Sequence, residues 1–241
     1  MRGTSKIEWE LALGERFSPM YQKITDDKLK VLQKAYLQMY KKFDAECRRH
    51  HIHSYMVAGT LIGSLRHGGY IPWDDDIDLV MFREDYNRLQ EIFADSEDFE
   101  LISPADATDS VFKVLKLQSK SLTYYDVLGE GFSKKKHLYL DMLPIDFVPE
   151  NNMLRKLKGL LFRALDLSHN SSRCYTKFTP HLTYMAKESR ELRQNLWIRR
   201  LIGFPSFIMG PANMYKLMEK LIQSNKKTSK ITIAYGVKGY L

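Results

Sequence analysis

Hydrophobic positions follow two regimes along the chain. Between residues 26 and 49, Leu29, Leu32, Tyr36, Met39, Phe43 and Cys47 recur at intervals of three and four, which predicts one long amphipathic helix. Thr25 is its expected N-cap, with Asp26 and Asp27 in the first turn where the helix dipole favours negative charge. "YMVAGT" reads as a short strand entering a glycine-containing turn, "LIGSLR" as a brief helix, and residues 77–82 as a buried strand rich in β-formers. "REDYNRLQEIFADS" returns to helical spacing through Tyr86, Leu89 and Phe93. "FELIS", "VFKVLKL", "SLTYYDVL" and "HLYLDMLPIDFVP" supply further strands, while "SKKKH" at 133–137 reads as a solvated charged loop. The chain up to about residue 150 is therefore expected to be a mixed α/β (α+β) domain.

From Met153 to about residue 221 the pattern becomes helical and strongly basic. "MLRKLKGLLFRALDLSH" sets Leu154, Leu157, Leu161 and Leu165 against Arg155, Lys156, Lys158 and Arg163. "LRQNLWIRRLIGFPSFIMG" mixes Trp197, Leu201 and Phe204 with Arg193, Arg199 and Arg200. Such helices either pack on a domain and show a solvated charged face, or lie on an anionic membrane surface. The expected division is a core at 1–150 and a basic helical region at 151–241.

Composition narrows the class. With 241 residues and 44% hydrophobic content the chain can fill a real core. Its two cysteines, Cys47 and Cys174, make neither a disulfide framework nor a zinc site, so a reducing compartment is the default. The first twenty residues lack a continuous apolar stretch, and no uncharged apolar run of spanning length occurs, so a cytoplasmic protein without a membrane span is expected. A formal charge of +8 points to anionic partners. Nucleic acid is not expected among them, because there is no helix-turn-helix, RRM or basic-aromatic repeat.

The chemistry concentrates in "AGTLIGSLRHGGYIPWDDDIDLVM", residues 58–81. Four aspartates within five residues repel one another, and a fold that holds them at a strand edge usually places cations there. Asp76 and Asp78 flank Ile77, so strand alternation sends both carboxylates to one face and Ile77 into the core. Two carboxylates on one face suit Mg²⁺ or Mn²⁺ held together with a nucleotide's phosphates. A calcium loop starting at Asp74 fails, because Leu79 stands where glycine is needed and Asp85 where a bidentate glutamate is expected. Upstream, the "IGS" turn at 62–64 offers amides and a hydroxyl to phosphate. A third strand carboxylate, Asp141 in "YLDML", follows later, with Asp146 as a rival that lies nearer a strand end.

The order apolar-Gly-Ser, spacer, Asp-apolar-Asp, later apolar-Asp-apolar resembles the nucleotidyltransferase superfold. "AGTLIGSLRHGGYIPWDDDIDL", then "FKVLK", then "LDMLPIDFVP" are similar to the LicD family, bacterial phosphocholine transferases related to the fukutin-type proteins. The resemblance covers about residues 25–150 and implies a nucleotidyltransferase-like mixed β-sheet flanked by helices. It implies transfer of a phospho-alcohol, typically from CDP-choline, to a sugar hydroxyl of a teichoic acid precursor or lipopolysaccharide, with release of CMP. The acceptor would be lipid-linked and met at the cytoplasmic membrane face.

Carried over residue by residue, Asp76, Asp78 and Asp141 are the expected catalytic carboxylates and metal ligands, with Asp74 as a further ligand and Asp75 solvated. Gly63 and Ser64 would hold the donor phosphates. Arg66 would neutralise a phosphate or pair with the aspartates. Lys113, expected on the strand face opposite Lys116, matches the family's lysine as a phosphate contact. His67, Gly68 and Gly69 form a turn that lets the chain double back. Trp73 is expected beneath the aspartate loop, or stacked on a base or choline headgroup. The resemblance also implies a further aromatic-rich segment beyond "IAYGVKGYL". The competing readings are a glycosyltransferase using an Asp-x-Asp metal motif and a catalytically inactive basic binding module.

Overall fold

A computed structural model describes residues 24–106, 113–127, 133–176, 190–224 and 226–233. Helix α1 (Asp26–Arg49) follows the predicted stripe, burying Leu29, Tyr36, Met39, Phe43 and Cys47 on one side. Thr25 is its N-cap through the main chain, its carbonyl accepting from the Leu29 N–H at 2.9 Å. The stripe packs on a sheet, where Tyr36, Met39 and Phe43 join Leu79, Met81, Leu117, Leu140 and Met142 in one core. Phe43 also stacks on Phe93 at 5.9 Å, which fixes α1 against helix α3 (Arg83–Phe93).

The sheet has the order β1 (Tyr55–Met56), β2 (Asp78–Phe82), β5 (Ser133–Phe147), β4 (Leu115–Val127) and β3 (Phe99–Ile102). Among the described strands β2 and β5 run parallel, and the other neighbours are antiparallel. A sixth strand, β6 (Ile231–Ile233), pairs antiparallel with the end of β5. The sheet is thus mixed and flanked by helices, as the α/β expectation requires.

Three predicted elements change. "VFKVLKL" and "SLTYYDVL" are not separate strands but belong to one strand, β4, which starts only at Leu115 and shifts register between Gln118 and Thr123. "SKKKH" is not a loop but the start of β5, with Ser133 opposite Val127 and Lys136 opposite Tyr124. Cross-strand pairing with the β-formers of β4 recruits a lysine run that its charge alone assigns to solvent.

The chain continues through α4 (Asn152–Ser171), the short α5 (Arg173–Thr176), α6 (Arg190–Met209) and α7 (Pro211–Ile222). Asn151 caps α4, its side chain accepting from the Leu154 N–H at 3.0 Å. Val148, Phe162, Met214, Met218 and Ile222 form a second, smaller core. Arg83 ties this part to the sheet: it meets Asp146 on β5 and Glu219 on α7, each at 2.6 Å. Among the described residues no helix is long and apolar enough to cross a membrane. Residues 1–23 and 234–241, which include most of "IAYGVKGYL", lie outside the described residues.

Candidate functional site

Helix α2 (Ala58–His67) opens against the edge of β2, and three hydrogen bonds, two between main-chain groups and one accepted by a side-chain hydroxyl, join α2, β2 and β5. The Val57 N–H donates to the Asp78 carbonyl at 3.2 Å, the Asp78 N–H to Thr60 Oγ1 at 2.9 Å, and the Asp141 N–H to the Ile77 carbonyl at 3.2 Å. Strand pairing then sets a row of functional side chains. Lys116 on β4 is the register partner of Asp141 on β5, and Asp141 is that of Asp78 on β2. Residues directly opposite share a face, so an ammonium and two carboxylates stand side by side across three strands. Lys116 Nζ lies 3.0 Å from Asp141 Oδ1 and 3.3 Å over the centre of the Tyr139 ring.

The aspartate loop adjoins this row. Its main chain is pinned from α1, where Gln33 Nε2 donates to the Asp74 carbonyl at 2.8 Å, and the Asp74 N–H closes a turn on Ile71 at 2.9 Å. Carboxylate oxygens of Asp74, Asp75 and Asp76 lie within 4.8 Å of one another. Asp74 Oδ2 rests against the first turn of α2, so near that a Cβ on Gly59 would come within 2.5 Å of it. That oxygen and the Tyr70 hydroxyl are buried without a hydrogen-bond partner among the described residues.

Electrostatics register the crowding. Burial, then Asp78, Asp74, Asp75 and Asp141, push Asp76 up to about 6. Asp78 is raised by burial and by Asp141, and Asp74 by burial and by Asp75. Burial lowers Lys116, with Asp141 opposing the shift. Half-buried carboxylates at this density favour a compensating positive charge. An orphaned buried oxygen beside hard anionic oxygen donors fits a metal cation. Asp74, Asp75 and Asp76 are the closest set to hold it, with Asp78 beside them.

A family model for the LicD/FKTN/FKRP nucleotidyltransferase domain matches residues 51–192. The chain belongs to this family. A lipopolysaccharide cholinephosphotransferase, LicD, from Haemophilus influenzae is 33% identical over 107 residues, 44% of this chain and 40% of that protein. An uncharacterised Rickettsia typhi protein is 31% identical over 122 residues, covering 46% of this chain and 34% of its own. The human ribitol 5-phosphate transferase FKRP is 28% identical over 102 residues, covering 42% of this chain and 18% of its own. The matches thus span less than half the length of these relatives.

In this LicD-family domain several expected residues sit differently from their sequence reading. Gly63 and Ser64 are not in a turn: both lie inside α2, so their amides belong to the helix ladder. The amides free for an anion are those of the first turn, residues 58–60, since Leu61 already donates to Val57. Gly63 is needed for packing, because a Cβ there would come 2.5 Å from the Gly69 carbonyl and 2.7 Å from the Ile71 amide. The chain doubles back as expected, with Gly68 at φ +64° ending the helix.

Lys113 precedes β4 and pairs with Asp166 on α4 at 2.6 Å; the lysine in the carboxylate row is Lys116. Asp146, the alternative to Asp141, is buried in an ion pair with Arg83. Arg66 is exposed and makes no ion pair among the described residues. Trp73 does not pack beneath the loop: it is 77% exposed at the rim of the acidic cluster. Asp75 is exposed, but its carboxylate belongs to the cluster. Sequence reading missed Gln33 and Thr60, whose partners lie far away in the chain, and passed over Lys116, whose signal was its place in "FKVLK".

Proposed function

We propose that this protein is a metal-dependent phospho-alcohol transferase that moves phosphocholine from CDP-choline, or the phospho-alcohol of another CDP-alcohol, to a sugar hydroxyl of a cell-surface glycan precursor. The observation that carries the reading is the Lys116–Asp141–Asp78 row beside the Asp74–Asp76 carboxylates. The relatives named as cholinephosphotransferase and ribitol 5-phosphate transferase support this class of reaction. The acceptor in this reading is a teichoic acid or lipopolysaccharide precursor, lipid-linked and met at the cytoplasmic face of the membrane.

Asp74, Asp75, Asp76 and Asp78 would hold the divalent cation, with Asp141 alongside, and it would supply positive charge to the donor phosphates. The first turn of α2 offers amides to phosphate oxygens, and Arg66 reaches the outer phosphate from the end of that helix. Ser64 and Lys113 remain secondary phosphate contacts, and Gly63 acts through loop packing. Lys116 orients Asp141 by engaging one carboxylate oxygen, which leaves the other to take the proton of the attacking hydroxyl. The hydroxyl oxygen forms its bond to phosphorus as the bond to CMP breaks, and CMP departs without needing a proton. Trp73 at the rim is placed to lie against the base or the choline cation.

Incubation with CDP-choline, CDP-ribitol and UDP-sugars, with Mg²⁺ or Mn²⁺ and a sugar acceptor, tests the reading. CMP release that needs the metal and is lost on Asp78→Asn supports it. Release of UDP in place of CMP identifies a glycosyltransferase, and release unaffected by the substitution overturns the assignment.

A further inference from the structure

Helices α4 and α6 are built inside out. A helix on a water-facing surface normally buries its large apolar residues and exposes polar ones. On α6 the fully buried positions with described side chains are Leu196, Gly203 and Ser206, while Trp197, Leu201 and Ile208 are 66%, 68% and 69% exposed. On α4 the buried set is one large apolar residue, Phe162, with Gly159, Asp166, Ser168, His169 and Ser171, while Leu157, Leu160 and Leu161 are exposed. The two helices meet through small residues, so close that a Cβ on Gly203 would lie 2.5 Å from the Ser171 carbonyl carbon. Small and polar contacts inside with bulky apolar side chains outside is how helices pack among lipids.

Neither helix qualifies to cross a bilayer, so the environment that suits both is the interface plane. Charge supports one occupant. Helix α4 carries Arg155, Lys156, Lys158 and Arg163 against Asp166, which is already paired with Lys113. Helix α6 carries Arg190, Arg193, Arg199 and Arg200 against Glu191. A groove of about 600 Å³ along α6, lined by Arg190, Arg193, Gln194, Trp197 and Ile198, sets guanidinium groups beside exposed apolar surface. That combination matches phosphate headgroups above acyl chains. A second copy of the chain would bring like charge against like charge.

We propose that the outer faces of α4 and α6 form a docking surface that seats the protein, without spanning, on a bilayer rich in anionic phospholipid. The side chains reach the headgroup and acyl boundary, and the arginines and lysines meet lipid phosphates.

The full chain with Trp9→Phe and Trp73→Phe, leaving Trp197 as the only tryptophan, is mixed with vesicles of phosphatidylcholine alone or equimolar with phosphatidylglycerol. Expected are co-sedimentation about ten-fold stronger with the anionic vesicles, a blue shift of Trp197 emission, and weakening at about 0.5 M salt. Trp197→Glu with Leu201→Glu lowers binding at least about ten-fold with helical circular dichroism unchanged. Arg163→Gln with Arg199→Gln, which leaves the apolar face intact, lowers the preference for the anionic vesicles. Absent or charge-independent vesicle binding overturns the proposal, as does wild-type binding by both double variants. Light scattering that finds a dimer dispersed by Trp197→Glu with Leu201→Glu, without vesicle binding, assigns the surface to a second copy.

Discussion

Lys116 holds its ammonium 3.0 Å from Asp141 Oδ1 and directly over the Tyr139 ring, where burial lowers its affinity for a proton. The amine is therefore positioned by a carboxylate on one side and a π face on another, and it links the acid row to β4. Lys116→Met removes the charge while keeping much of the stem. Turnover should fall about 100-fold, the size of losing one preorganised electrostatic contact, with the fold retained. Steady-state CMP release beside circular dichroism checks this, and unchanged turnover removes Lys116 from the mechanism.

Asp76 carries the largest burden of like charge among the aspartates. Asp76→Asn relieves that repulsion, so the metal-free variant should melt a few degrees higher than the parent, corresponding to on the order of 1 kcal/mol. The same variant should lose most of the stabilisation that Mn²⁺ gives the parent. Thermal melts in chelator and in excess Mn²⁺ read both effects, and a lower metal-free melting temperature contradicts the electrostatic account.

The pH dependence of that difference follows from linkage. Asp76 is raised from 3.8 to about 6, so between these values the folded chain binds more protons than the unfolded one. The penalty from this carboxyl is fully present above pH about 6 and fades as pH falls toward about 4. Buried His169, lowered to about 4 by burial and Lys113, works in the opposite direction below its ordinary range, but it contributes equally to parent and variant. Urea denaturation of parent and Asp76→Asn in chelator should therefore show a stability gap at about pH 7 that narrows by about pH 5. A constant gap would show that Asp76 titrates normally.

Gly63 stands where helix and returning loop touch. A methyl group there meets the backbone of Gly69 and Ile71, which cannot swing aside like a side-chain tip. Gly63→Ala should cost about 1–3 kcal/mol by overpacking and, by shifting the loop, weaken metal binding at Asp74–Asp76. Chemical denaturation and Mn²⁺ titration measure the two losses.

Much of this was legible in local pattern. The α1 stripe obeys helical spacing, and Ile77 is buried in the core between the partly buried Asp76 and Asp78. What local pattern hides is the partner across the fold. "AGTLIGS" begins its helix at Ala58 because Thr60 receives the Asp78 amide, which moved the free amides one turn upstream of Gly63. Lys116 rather than Lys113 joins the row because pairing with β3 and β5 starts β4 at Leu115. Trp73 reads as core by residue type, yet the loop that carries it is held to α1 through main-chain contacts at Ile71 and Asp74, which leaves the indole outside.

Arg83 joins the C-terminal helices to the sheet with one buried cation and two anions. Its guanidinium forks on to Asp146, at 2.8 and 2.6 Å, and meets Glu219 at 2.6 Å. Asp146 is 1% exposed, so Arg83→Met strands a buried carboxylate and should destabilise the protein by about 3–5 kcal/mol. That loss measures the stranded charges and not the worth of the triad. Adding Asp146→Leu and Glu219→Leu to Arg83→Met should recover most of the stability, since apolar groups of similar volume can replace a buried ion triad. Urea denaturation of the single and triple variants separates the two. If the triple variant remains as unstable as the single one, orientation by the ion triad, and not the cost of unpaired charge, holds α7 and β6 against β5.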